Sequence, residues 1–225
     1  MPFVAQDAFF QIVGIRAGLK HAHIIIGFKQ HRIGVLYDNM IRPYLSYTLR
    51  GFLWYQGESD DDNPWAYYKL LRGLIDLWRT DWDDAELPFL IVQLPMHLYS
   101  GDTDRKNWCV IREAQDKAYR TIRNTGLAVI IDCGEFNEIH PHDKEQVGHR
   151  LCLQALYTAY GDKNEDHNAP IFDSALPKDG GIEVKIRTSS PLEKRTDSTG
   201  FEIAGADGKF VPADCTINGS TILVS

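Results

Sequence analysis

GFLWYQGESD, residues Gly51–Asp60, joins an apolar run to an abrupt polar stop. Phe52, Leu53, Trp54 and Tyr55 have the length and aromatic content of a buried strand, and Gln56, Gly57, Glu58 and Ser59 follow at once. A strand that ends this way carries polar side chains to the carboxyl edge of a sheet, where open α/β sheets bind their ligands. Gly57 permits a tight turn, Gln56 brings an amide, and Glu58 brings a carboxylate able to orient a histidine. An ordinary strand exit with a solvated Glu58 is the simpler alternative.

Outward from this stretch, apolar runs alternate with helical periodicity. Asn63 and Pro64 give an N-cap and first-turn signal, and Tyr67, Leu71, Leu74, Ile75 and Trp78 then recur at helical spacing up to Arg79. LPFLIVQL (87–94) predicts a second buried strand, 108–123 a helix with Ile111, Ala114, Ala118 and Ile122 on one face, and LAVIID (127–132) a third strand. Asp143 with Gln146 three residues later resembles a capping box that opens a helix to about Tyr160. Upstream, 35–47 predicts a short helix or loop limited by Pro43. Strands apolar on both faces, alternating with helices, specify an α/β fold with a parallel sheet and flanking helices.

The pattern changes after residue 169. Short alternating segments at 182–186, 201–203, 210–212 and 221–224 are separated by Asp179-Gly180-Gly181, Asp207-Gly208 and Asn218-Gly219, which favour tight hairpins. The expected organisation is an unassigned leader (1–34), an α/β domain (35–162) and a small antiparallel β unit (169–225) that stops in mid-pattern.

Composition narrows the function. The chain has 225 residues and a formal charge of −7, with a pI near 5.6, so its surface repels polyanions; nucleic acid and anionic membrane are disfavoured as partners. No apolar run reaches the length that crosses a bilayer. Cys109, Cys133, Cys152 and Cys215 form no CxxC pair and read as reduced thiols.

A second polar cluster follows the third strand: Asp132, Glu135, Asn137, Glu138, His140, His142 and Asp143. A loop histidine flanked by carboxylates suits general-base work, because its pKa lies near neutrality and an acid partner fixes its tautomer. Pro141 stiffens the backbone next to His140. A metal site built from His140, His142, His149 and Asp143 competes, although the set matches no zinc spacing. Trp108, Arg112, Glu113 and Gln115 share the second helix and read more simply as solvated or as bridging helix to loop. Trp54, Tyr55, Trp65, Tyr67 and Tyr68 offer a sugar-stacking wall or plain core packing.

Taken in order, WYQGESD, Trp78-Arg79, LPFLIVQLP, WCVIREAQ, LAVIID and EIHPHDKEQVGHRL resemble the sialate O-acetylesterase family of the SGNH hydrolases, which is similar to the family-six acetylxylan esterases. The tail FEIAGADGKFVPADCTINGSTILVS is similar to the β domain that follows the catalytic domain there. The resemblance implies an enzyme that removes acetyl groups from sugar hydroxyls without a cofactor or metal, acting on a small-molecule or glycan acetyl ester, often outside the cytoplasm. It implies His140 as general base, Glu138 or Glu58 as its acid partner, and Gln56 with Gly57 at the oxyanion; Tyr55 and Arg112 complete the candidate substrate-binding set. It also implies a nucleophilic serine in a Gly-x-Ser-Asn-like block. No such block precedes residue 51, where the serine present is Ser46, so the expectation is a chain that lacks the nucleophile block, or an inactive carbohydrate-binding remnant.

Overall fold

The computed structural model describes residues 34–98, 106–163, 167–178, 180–193 and 200–225. These fall into two compact units that divide after residue 165. The expected leader lies, up to residue 33, outside the described residues.

The first unit is built on three parallel strands in the order β1 (Phe52–Trp54), β2 (Phe89–Val92) and β3 (Thr125–Ala128). Phe52, Phe89 and Thr125 stand side by side, as do Trp54, Ile91 and Leu127. Alternation therefore sends these rows to one face, where they pack under α1 (Tyr67–Asp81) and α2 (Asn107–Thr121). Leu71, Leu74, Ile75 and Trp78 of α1 and Ile111, Ala114 and Ala118 of α2 complete this core. The periodicity expected from sequence places these residues on the buried stripes of the two helices. On the other face, Val92 and Ile130 pack against Val147 of α3 (Glu145–Ala159).

Several expectations shift. β3 begins two residues before the apolar run 127–132 and ends four before its close, because the chain leaves β2 after Ala128 and turns through a 3₁₀ segment at Ile131–Cys133. β1 is buried on only one face: Leu53 is 66% exposed, since α3 covers β2 and β3 on that side and β1 forms the sheet edge among the described residues. Asn63 makes no side-chain cap; Pro64–Ala66 form a 3₁₀ turn that leads into α1. Ahead of α3, Asp143 Oδ1 accepts from the Glu145 amide at 3.0 Å, so the cap sits one step from the box expected with Gln146. Residues Tyr37–Ile41 and Arg42–Tyr44 form short helical turns, with Pro43 in the second.

The second unit is antiparallel. β4 (Ile171–Lys178), β5 (Gly181–Arg187), β9 (Thr221–Val224) and β8 (Cys215–Asn218) form a sheet in that order, and β6 (Phe201–Ala204) pairs with β7 (Phe210–Ala213). Hairpins join β4 to β5, β6 to β7 and β8 to β9 at the three glycine turns. β4 and β8 are additions to the expected segments.

Arg79 shows how the α/β unit is closed at the amino-terminal side of its strands. It is buried near the end of α1, and its guanidinium donates to the carbonyls of Leu87 (2.9 Å), Arg123 (2.8 Å) and Asn124 (3.2 Å), the segments that enter β2 and β3. Burial lowers its pKa, yet an arginine keeps its charge. Arg79→Met removes the donor from all of these carbonyls, and urea unfolding should show a loss of about 2–3 kcal/mol. An unchanged midpoint would mean that water satisfies them.

Candidate active site

The polar exits of the three strands share one sheet edge because the strands are parallel. The exit of β1 is the driest. Gln56 is 3% exposed, its carbonyl accepts from the Tyr67 hydroxyl at 2.7 Å and from Gln115 Nε2 at 3.2 Å, and its side-chain Nε2 donates to Asp60 Oδ2 at 3.2 Å. Gln56 Oε1 is buried and has no hydrogen-bond partner among the described residues. Gly57 takes φ +142°, a conformation open to glycine, and a Cβ there would lie 3.1 Å from Tyr67 and 3.2 Å from Ile111. The chain then turns through a 3₁₀ segment, Glu58–Asp60.

Gln115 is the residue that sequence reasoning set aside. Its side chain is fully buried; Oε1 accepts from the Leu94 amide at 2.9 Å, while Nε2 donates to the Gln56 carbonyl and to the Tyr67 hydroxyl at 3.3 Å. One carboxamide on α2 thus ties the exit of β1 to the exit of β2. Ile111, Gln115 and Ala118 fall at helical spacing on one stripe, which was the available signal. Asn107, at the start of α2, adds a bond from Nδ2 to the Asp61 carbonyl at 2.7 Å.

The exit of β3 runs beside that of β2. The Met96 amide donates to the Ile131 carbonyl at 3.4 Å and the Leu98 amide to the Phe136 carbonyl at 3.2 Å. Gly134 allows this approach, since a Cβ there would come within 2.1 Å of the Met96 carbonyl oxygen. Asp132 is held by a two-point contact from Arg150 of α3, Nη1 to Oδ1 at 2.5 Å and Nη2 to Oδ2 at 2.7 Å, and Nη1 also donates to the Val129 carbonyl at 2.7 Å. The guanidinium holds the Asp132 carboxyl down at about 2.

His140 sits in this loop with its side chain 71% exposed. Glu138 Oε1 accepts from the His140 amide at 2.8 Å and lies 3.6 Å from Nδ1, an ion-pair distance longer than a hydrogen bond. Glu58 reaches the same ring electrostatically: burial raises its carboxyl, and its own backbone amide, His140, the Gly57 amide and Lys144 pull it back. Lys144 crosses to the β1 exit, its ammonium 3.4 Å from the Tyr55 hydroxyl and 4.8 Å from the ring centroid. Burial, then Glu58 and Cys133, push the Tyr55 phenol up to about 12. The loops after β1 and β3 therefore meet. His142 forms a closer pair than His140 does, its Nδ1 3.0 Å from Glu135 Oε1, which also accepts from its amide at 2.7 Å.

The remaining candidates are spread out. The Arg112 guanidinium lies against Cys109 Sγ at 3.2 Å, one turn back on α2. Trp54 and Tyr67 belong to the core, whereas Trp65 is 79% exposed. Among the described residues, no hydroxyl or thiol is hydrogen-bonded to the His140 ring, Ser46 is exposed, and no group of three or more histidine, cysteine or carboxylate side chains is placed to hold a metal. Nor is any helix among them long and apolar enough to cross a membrane.

Residues 23–156 match the family described as carbohydrate esterase, sialic acid-specific acetylesterase. The sialate O-acetylesterase of Mus musculus is 31% identical over 200 residues, covering 82% of this chain and 35% of that protein. The one of Homo sapiens is 33% identical over 203 residues, covering 80% and 38%. The chain spans little more than a third of the length of these relatives. A carbohydrate acetylesterase from Xanthomonas citri superposes with a TM-score of 0.79 at 36% identity, covering 88% of this chain and 47% of that one.

Two measurements test the framework of the site. Gln115→Leu leaves the buried Leu94 amide without its acceptor, and denaturant unfolding should show a loss of about 2 kcal/mol. Arg150→Met tests the loop anchor. The depressed Asp132 contributes stability above the ordinary carboxylate range, near pH 4, and loses it as pH falls through about 2. The pair is partly exposed, so the cost at pH 7 should be about 1 kcal/mol. The difference in Tm from the parent should shrink toward pH 2, leaving only the share due to the Val129 carbonyl.

Proposed function

Because the chain belongs to the carbohydrate esterase family of sialic acid-specific acetylesterases, we propose that it acts on O-acetyl esters of sugars, with His140 as general base. The observation that carries this reading is the approach of the segment after β3 to the exit of β1, where the Lys144 ammonium lies 3.4 Å from the Tyr55 hydroxyl and 4.8 Å from its ring centroid. In the proposed family reaction a serine hydroxyl, which the described residues do not place at His140, attacks the acetyl carbonyl and His140 takes its proton. The imidazolium so formed faces the Glu138 and Glu58 carboxylates, which stabilise it. Gln56 and Gly57 line the region of the developing oxyanion in this reading. As the C–O bond to the sugar breaks, His140 returns the proton to the leaving oxygen; water then repeats the sequence on the acyl-enzyme. No cofactor enters this scheme. The substrate is an acetylated sugar or glycan, and the extracytoplasmic location implied by the resemblance belongs to the same reading.

A second reading is favoured by one observation. Among the described residues no hydroxyl is hydrogen-bonded to His140, which suits a chain that binds acetylated glycans without turning them over. Labelling with a serine-directed fluorophosphonate separates the two, since a modified serine located by mass spectrometry supports the esterase and glycan binding without labelling supports the remnant. For the esterase, His140→Ala should lower aryl acetate hydrolysis by about 100-fold or more. A rate left unchanged by that substitution would remove His140 as the base.

A further inference from the structure

Asp60 is the only buried carboxylate among the described residues, at 7% exposure, and the proposed reaction does not use it. Its partner is the Gln56 side chain, whose Nε2 lies 3.2 Å from Oδ2. The Gln56 backbone is pinned independently, through its carbonyl, by Tyr67 and Gln115. The side-chain amide is not: Asp60 holds one end, and the other end, Oε1, is buried without a partner among the described residues. A primary amide has nearly the same shape when its oxygen and nitrogen are exchanged, so hydrogen bonding decides which end points where.

An ionised carboxylate can only accept, and it holds the NH₂ end of Gln56, leaving the carbonyl oxygen as the free end. A protonated one donates its O–H to Oε1 and leaves two N–H donors free. A developing oxyanion is stabilised by donors and repelled by a carbonyl oxygen. We propose that Asp60 is a positioning residue whose proton selects the end of the Gln56 amide presented to the acyl oxygen. This rests on the esterase reading, in which Gln56 stands at the oxyanion.

The surroundings put both forms of Asp60 within reach of neutral pH. Burial raises its carboxyl to about 7, with the Gln56 bond opposing and the Glu58 charge adding. Glu58 faces it from the same turn, and the Tyr67 phenol, itself pushed up by burial, faces it from α1. His140 and Lys144 act one step removed, by lowering Glu58. The sign is fixed by the chemistry: the donor arrangement is complete below about pH 7 and is lost as pH rises through it.

The test reads the amide directly. The Gln56 side-chain NH₂ signals of the ¹⁵N-labelled chain, followed from pH 5 to 9, should titrate with a midpoint near 7 and should be flat in Asp60→Asn, which keeps the shape and cannot ionise. Signals that do not move in the parent, or that move equally in Asp60→Asn, overturn the proposal, and the parent measurement stands even if the variant does not fold. Aryl acetate turnover supplies the second arm. After the rising limb of the base, kcat of the parent should fall about tenfold between pH 7 and 8.5 with KM unchanged, and Asp60→Asn should lose that fall. A kcat that continues to rise to pH 8.5 overturns the role at the acyl oxygen. An amide that titrates in a chain without any turnover overturns the esterase reading, and with it that role, while leaving the proton-linked reversal of Gln56 in place.

Discussion

A single buried carboxamide, Gln115, holds the carboxyl edge of the sheet together. Where parallel strands end, their amides and carbonyls lose ladder partners in a place too dry for water to replace them. A carboxamide answers both needs from one side chain. Gln115 accepts from Leu94 at the end of β2 and donates to Gln56 at the end of β1, and Tyr67 adds a second donor to that same carbonyl. The reactive candidates at Gln56–Glu58 begin at this anchored point, so their backbone inherits the rigidity of the sheet. Gly57 then redirects the chain against Tyr67 and Ile111 with no room for a side chain.

The same edge sorts its carboxylates by environment. Asp132 is gripped by Arg150 and held down at about 2, whereas Asp60, buried without a cation, is pushed up to about 7. Glu58 also shifts upward by burial, tempered by His140 and Lys144. Neighbouring acids driven apart in this way take different duties, Asp132 serving as a permanent anion and Asp60 as a group able to hold a proton near neutrality. The fixed anion anchors the loop through α3, and the shifted pair lies at the β1 exit.

Much of the α/β architecture was legible because it depends on local periodicity. The alternation of apolar runs with amphipathic stripes placed β1, β2 and the three helices to within a few residues, and the glycine turns marked the three hairpins. The departures are tertiary. LAVIID does not say where β2 stops offering a ladder, so β3 was read too late in the chain, and the edge position of β1 that exposes Leu53 is invisible in an apolar run. Asp60 stands beside Asp61 and Asp62 in the sequence, yet it is buried and paired with the Gln56 amide. Gln115 carried a usable sign, its place on the stripe of Ile111 and Ala118, but a polar residue on a helix more often faces water. The pairing of His142 with Glu135, seven positions apart, depends on a turn that contains the Glu135–Glu138 bridge, which no spacing rule reveals.

The two halves of the site are prepared to different degrees. At the β1 exit the Gln56 carbonyl is fixed in a dry setting by Tyr67 and Gln115, where hydrogen bonds act at greater strength than in water. At the β3 exit the His140 ring is largely in water, and its Glu138 partner stands 3.6 Å from Nδ1, so solvent screens their attraction. An exposed imidazole is a good proton carrier and a poor positioned base. Whatever covers the ring excludes water from it, strengthens its coupling to Glu138 and Glu58, and turns two adjacent loops into one reacting geometry. A ligand seated against the Gln56–Glu58 turn, beside the segment that carries Lys144, would provide that cover itself.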